Sequence, residues 1–472
     1  MASLQGESIS SMQSMVLDLP PSCIEFCPAH PSYFVVGTYH LEKEADEPPS
    51  STETPGDNDE DPSETKAGSQ SQSRNGSLIV FELQDGQVHA VQTIPQPSAV
   101  FDLHFQPQGD KGDICAAVSS TGTISFFKLL PPSPPAGTGP RGQDDETSEP
   151  RGEILRPLSV LRIPDLGEDI LFTYFAWHPT DAGLMAITTA GGQVILVQIH
   201  DDYQGLDVSH ESLLEHSMEA WVAAFSSPPP PPPSPPAEST PPPYTVFSGG
   251  DDSALKYTTL NSSFNPYTPT LTPYPAITLT NHTAGVTALL PLYLPASPHH
   301  HHQHLILLLT GSYDDTLRVF TIEPLHTTYG ARKATLLAEI NLGGGVWRLN
   351  AIGNPVAVAG RGGAWEVIVL ASCMHAGPRV LRIRGVGGQE EEEEEGGGRG
   401  AAVNVNVEVD VLGRFEEHKS MNYGSDWSRI ESRLVPSAGE KRGEVLCVST
   451  SFYDRLLCVW KCKLPAREGD IN

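Results

Sequence analysis

Along this chain, runs of four to eight residues are either solidly apolar or alternate apolar with polar, and a helical period of 3.6 residues is nearly absent. Solid runs such as 184–189 and 305–310 suit strands buried on both faces, and alternating runs suit strands with one wet face. Taken in threes with a weaker fourth, the runs form seven groups. Their leading members are 24–26, 33–38 and 77–83; 100–105, 114–119 and 123–129; 170–177, 184–189 and 193–199; 221–225, 244–248 and 254–259; 286–291, 305–310 and 316–322; 346–351, 365–372 and 379–383; and 424–429, 444–449 and 455–462.

A phrase recurs within these groups. Thr310-Gly-Ser-Tyr-Asp-Asp-Thr-Leu-Arg-Val-Phe320 is echoed by Phe247-Ser-Gly-Gly-Asp-Asp-Ser-Ala-Leu-Lys-Tyr257 and by Thr450-Ser-Phe-Tyr-Asp-Arg-Leu-Leu-Cys-Val-Trp460. Each is a strand, a tight turn and a second strand ending in an aromatic, the middle hairpin of a propeller blade. The expected fold is therefore all-β, a WD-repeat β-propeller of seven blades over residues 14–463, or of six if the second or sixth group is miscounted. The seventh group runs out of chain about ten residues after its third strand. A spare strand at 15–19 is expected to complete it and close the ring.

Composition adds partners and inserts. Of a formal net charge of −29, about half comes from residues 42–64, with ten acids against one lysine, and from the six glutamates 390–395. That balance argues against nonspecific nucleic-acid binding and admits a cationic partner. Seven scattered cysteines show no metal-ligand spacing and read as buried thiols in a reducing compartment. No apolar run is long enough to span a bilayer, so a cytoplasmic monomer without cofactor or metal is expected. Low-complexity inserts occupy 42–76 (acidic), 131–153 (Pro-rich), 228–243 (polyproline), 295–304 (His-rich) and 385–402 (Gly/Glu-rich), with a tail at 464–472. With antiparallel strands, all but the acidic insert fall at one end of a propeller. The other end, which carries the links between blades and the second-to-third-strand turns, is the functional candidate.

His282, Ser312 and Asp314 have the makings of a nucleophilic triad. Blades of this repeat class use the same residue types to tie turns, and Ser248 with Asp251, and Ser451 with Asp454 and Trp460, repeat parts of the pattern; scaffolding is the expected reading. No nucleophile elbow, phosphate loop, dinucleotide fingerprint or zinc-protease motif occurs.

Several turns carry more particular phrases: Glu219-Ala-Trp-Val-Ala-Ala-Phe225, Gly344-Gly-Val-Trp-Arg-Leu349, Ala371-Ser-Cys-Met-His-Ala-Gly377, Tyr423-Gly-Ser-Asp-Trp427 and Ser451-Phe-Tyr-Asp454. With the turns Gly249-Gly-Asp-Asp252 and Gly311-Ser-Tyr-Asp314 they resemble, strongly over about 216–460 and loosely over the first three blades, the diphthine methylesterase family of WD-repeat proteins. The resemblance implies hydrolysis of a methyl ester on a modified histidine of translation elongation factor 2, giving diphthine for later amidation. A noncatalytic scaffold or substrate receptor is the alternative. Such a substrate carries a trimethylammonium beside the ester, which calls for aromatic faces and carboxylates, and for a base and oxyanion donors. The candidates for binding are Glu219, Trp221, Asp252, Tyr313, Trp347, Tyr423 and Asp426. His375 is the candidate base, acting on water or on Cys373, and Arg348 with the amides of 343–345 the oxyanion donors.

Overall fold

A computed structural model describes residues 6–41, 74–107, 109–132, 153–164, 166–167, 170–209, 211–226, 243–260, 275–294, 305–323, 332–358, 364–387, 405–434 and 442–465. The chain is an all-β propeller of seven blades. Blade one holds Pro21–Phe26, Tyr33–Thr38, Arg74–Gln84 and Gln87–Gln96; blade two, Val100–Phe105, Ile114–Ser119, Thr123–Leu129 and Leu155–Arg162. Blade three holds Phe172–Trp177, Leu184–Thr189 and Gln193–Ile199, with an outer edge split between Leu206–Val208 and Leu214–Glu215. Blade four holds Ala220–Phe225, Tyr244–Gly250, Leu255–Leu260 and Ile277–Leu279; blade five, Val286–Tyr293, Ile306–Ser312, Thr316–Ile322 and Ala334–Asn341. Blade six holds Val346–Ala357, Trp365–Cys373, Gly377–Gly387 and Val405–Phe415. Blade seven holds Gly424–Trp427, Arg442–Ser451 and Leu456–Pro465, and takes its fourth strand, Ser11–Val16, from the N-terminus.

The first strands touch one another in a complete circle and line a central channel. The middle strands Tyr33–Thr38, Ile114–Ser119 and Leu184–Thr189 are buried at every position because each blade packs on a neighbour at both faces. The described core divides into seven apolar clusters, one between each pair of adjacent blades. Blade seven packs on blade one through Phe26, Phe34 and Phe81 against Leu446, Val448 and Val459, so the circle is closed by apolar burial as well as by strand pairing.

The closing strand sits four residues before its expected place, at Ser11–Val16 instead of 15–19. An outer edge strand buries one face only: Ser11 to Val16 alternate half-buried and exposed, with Met12 and Val16 in solvent, while Leu17 tucks under the sheet. A short strand that the sequence pattern does not announce, Glu7–Ile9, pairs parallel to Val405–Phe415, so the N-terminus is stitched to two blades. Most of the low-complexity inserts 42–76, 131–153, 228–243, 295–304, 385–402 and 464–472 lie outside the described residues.

The triad-like residues are scaffold. His282 Nε2 bonds Thr310 Oγ1 at 2.8 Å, and Asp314 accepts the Thr283 amide at 3.0 Å. Ser312, which the sequence grouped with His282, instead donates to the Ala284 carbonyl at 3.0 Å. The same tie recurs in blade seven, where His418 and Trp460 both reach Ser449, at 2.7 and 2.9 Å.

These buried histidines make the fold acid-sensitive. Burial holds His178, His282 and His418 down to about 4 from 6.5. The unfolded chain takes up these protons as pH falls through about 6.5 and the folded chain only near 4, so stability present above pH 6.5 is lost toward pH 4. At pH 5 each costs about 2 kcal/mol by linkage. Asp426, raised to about 6 chiefly by burial, works in the opposite sense and returns about 1 kcal/mol over that range. Denaturant titrations at pH 7 and pH 5 should show a clear net loss at the lower pH; equal stability at both would contradict this account.

Candidate functional site: an aromatic ring above a charged channel

In blades one to six the first strand carries a β-bulge at its second residue, at Ser22, Phe101, Thr173, Trp221, Thr287 and Trp347. A bulge leaves one side chain out of the pleat and re-aims it. The six alternate in kind. In the odd blades the hydroxyls stitch onto the next blade: Ser22 donates to the Val100 carbonyl at 2.7 Å, Thr287 to that of Val346 at 2.6 Å, and Thr173 to that of Ala220. In the even blades the bulged residues are the aromatics Phe101, Trp221 and Trp347, which meet over the mouth of the channel.

They belong to a closed ring. Ring centroids run Tyr39–Phe101 5.9 Å, Phe101–Trp221 6.5 Å, Trp221–Trp347 5.8 Å, Trp347–Tyr423 4.9 Å, Tyr423–Phe452 5.4 Å and Phe452–Tyr39 6.2 Å. Tyr313 packs on Trp221 at 6.3 Å and on Trp347 at 5.8 Å. The reach of a cation–π contact is about 6 Å, comparable with these spacings. Carboxylates stand beside it. Trp221 Nε1 donates to Asp251 Oδ1 at 2.9 Å, and the Asp251 amide donates to the Glu219 carbonyl at 2.8 Å. Burial, reinforced by Tyr423, Asp251 and Glu219, pushes the Tyr313 phenol up. Gly285 permits this packing: a Cβ there would lie 2.6 Å from Asp251 Oδ1 and 2.9 Å from the Tyr313 ring.

One residue further along the first strands the channel turns charged. Arg348 Nη2 meets Asp102 Oδ2 at 2.5 Å, and its guanidinium lies 4.8 Å from the Tyr174 ring and 5.3 Å from that of Trp347. Two residues deeper, on the same strand faces, His104 Nδ1 contacts Glu25 at 2.5 Å and its Nε2 stands 3.5 Å from Asp102. Burial works to lower the His104 pKa, but Tyr174, Asp102 and Glu25 outweigh it and hold the imidazole well above its ordinary range. Asp102 is opposed by burial too, yet Arg348 and His104 hold its carboxyl below the usual range.

Of the residues singled out by sequence, Trp221, Trp347 and Tyr423 stand in the ring, Tyr313 packs on it, Glu219 adjoins it and Arg348 lies beneath it. Asp252 turns away from the ring: it accepts from His216 Nδ1 at 2.8 Å and from the Ser217 amide at 3.0 Å, with Ser248 on the far side of the imidazole at 3.0 Å, so it ties the scaffold in the place expected of Asp251. Asp426 is buried in the channel wall, its two oxygens accepting the Phe26 and Trp427 amides at 2.7 and 2.8 Å. Cys373 is fully buried, its thiol pushed up to about 12 chiefly by burial, which leaves no thiolate to attack an ester. His375 is exposed on the 3-10 turn Met374–Ala376, whose Ala376 and Met374 pack on Gly344 and Gly345. The Gly343 amide, one of the expected oxyanion donors, is already spent on Asn341 Oδ1 at 2.9 Å.

Sequence reasoning missed Tyr39, Phe101, Phe452, Glu25, Asp102, His104 and Tyr174. The one signal available was the alternation of hydroxyl and aromatic residues at the second position of successive first strands. A cavity of about 360 Å³, lined by Gln96, Ser119, Thr121, Thr123, Val160 and Arg162, lies on the outer flank of blade two. It contains none of the ring or channel charges.

No protein-family model matches the chain. It is similar to the diphthine methyltransferase homolog of Dictyostelium discoideum, 24% identical over 94% of this chain and 97% of that one. The diphthine methyltransferase of Schizosaccharomyces pombe is 23% identical over 82% of this chain and 86% of its own, and that of Mus musculus 22% identical over 93% and 73%. The match to the Dictyostelium discoideum protein covers 94% of the chain, the first three blades with their looser resemblance included.

Proposed function

We propose that this protein hydrolyses the methyl ester of methylated diphthine on translation elongation factor 2, releasing methanol and leaving diphthine. The observation that carries the reading is the closed ring of six aromatic side chains over a channel mouth, with carboxylates beside it. A trimethylammonium group cannot donate an ordinary hydrogen bond and is bound by such faces. Similarity to proteins named diphthine methyltransferase ties the chain to diphthine chemistry. Those names speak of methyl transfer; the reading here is methyl removal, for which the chain's own residues supply the parts. Arg348 beneath the ring supplies N–H donors for the oxyanion, and the exposed His375 supplies a base for water. A translation factor as substrate favours a cytoplasmic protein.

The test is turnover. Protein at a small fraction of the substrate concentration should convert all of the methylated elongation factor, read from the mass of the modified peptide over time. Stoichiometric binding without a change of mass would instead favour a receptor. Within this scheme Cys373 is packing, so Cys373→Ser should keep kcat within about threefold of the wild type while costing some stability. Loss of turnover with the fold intact would restore the thiol as nucleophile.

A further inference from the structure

We propose that Glu25, His104, Asp102 and Arg348 form a strut across the channel that aims Arg348 at the carbonyl oxygen of the ester, with Asp102 and His104 as positioning residues; this rests on the ester-hydrolysis reading above. Arg348 and Asp102 belong to blades six and two, which are not neighbours, so their 2.5 Å contact crosses the lumen. The two side chains are 14% and 2% exposed, and burying such a pair carries a desolvation cost. Ring closure does not require that cost, since seven apolar clusters and the hydroxyl stitches already join adjacent blades.

What the strut accomplishes is orientation. The guanidinium carries five N–H donors in one plane. Nη2 donates to Asp102 and Nη1 to the Trp347 carbonyl at 3.1 Å, while the face is pinned between the Tyr174 and Trp347 rings. His104, clamped by Glu25 and set edge-on to Tyr174 and Phe175 at 5.1 Å each, fixes Asp102 from the other side. The remaining donors are uncommitted among the described residues, on a guanidinium 5.3 Å from the ring member Trp347. In the substrate the ester and the trimethylammonium share one carbon, so a cation seated in the ring carries its carbonyl oxygen toward these donors. Water adds to the carbonyl carbon and gives up a proton to the base. The carbonyl electron pair moves onto oxygen, where Arg348 stabilises it, and collapse expels methoxide, which takes a proton and leaves as methanol. Ester and water become acid and methanol, and no other reactant is needed.

The test compares Asp102→Asn, Arg348→Gln and the double variant for kcat and KM on methylated elongation factor 2, and for choline affinity by tryptophan fluorescence. Each single change should lower kcat about a hundredfold, the scale of losing one oxyanion donor. The double variant should be no worse than Arg348→Gln, Asp102→Glu should recover part of the rate, and choline affinity should stay within about twofold of the wild type. Wild-type kcat in Asp102→Asn, losses that multiply in the double variant, or choline binding that falls in step with kcat would overturn the proposal while leaving the esterase standing. A wild-type protein that binds choline yet never turns over would end both.

Discussion

Alanine at His375 should lower kcat about a hundredfold or more, the usual worth of a general base, and leave KM within about threefold. Several of the other candidate groups are already engaged. Asp102 is paired with Arg348, and His104 is engaged by Glu25 at 2.5 Å with Asp102 3.5 Å from its other ring nitrogen. Asp426 already accepts a backbone amide on each oxygen, and the Cys373 thiol is buried in the core. His375 stands exposed to water on the turn whose Met374 and Ala376 pack on the glycines just before Trp347. Steady-state kinetics on the modified elongation factor check it. An unchanged kcat would pass the role to a group not yet named and leave His375 as a surface residue.

Leucine at Trp221 should raise KM, with a smaller effect on kcat. Trp221 touches Phe101, Tyr313 and Trp347 and holds Asp251 through its indole N–H, so it is the ring member that joins the aromatic and acidic parts of the site. Leucine keeps most of the apolar volume and removes the π-face, a loss of about 2 kcal/mol for a desolvated cation, or roughly thirtyfold. The control is chemical. Choline should weaken by a similar factor, and its uncharged carbon isostere, 3,3-dimethylbutanol, should bind the two proteins alike. Equal weakening of both ligands would mean that the ring holds them by apolar contact alone.

The blades were legible because each middle strand is buried on both faces and therefore reads as an unbroken apolar run bounded by turn residues. Outer strands read poorly: Ser11–Val16 has a single buried face, and its polar alternation drew the expected strand toward the greasier 15–19. The ring was legible in part. Trp221, Trp347, Tyr313 and Tyr423 stand in turn phrases, whereas Phe101 lies inside Val100–Phe105 and looks like core until the bulge turns it out, a backbone irregularity with no strong sequence mark. Asp251 and Asp252 are adjacent, and nothing in their order says which faces the indole and which faces His216. The Arg348–Asp102 contact joins residues 246 positions apart and exists only because the propeller closes.

The most direct test of the central claim is to run the reaction in heavy-oxygen water with the protein far below the substrate concentration, and to weigh both products. The account predicts many turnovers, one heavy oxygen in the diphthine carboxylate and none in the methanol, because water attacks the carbonyl carbon that Arg348 polarises. Heavy oxygen in the methanol would place the attack on the methyl group and leave the oxyanion site without a role, and no loss of the methyl at all would contradict the esterase itself.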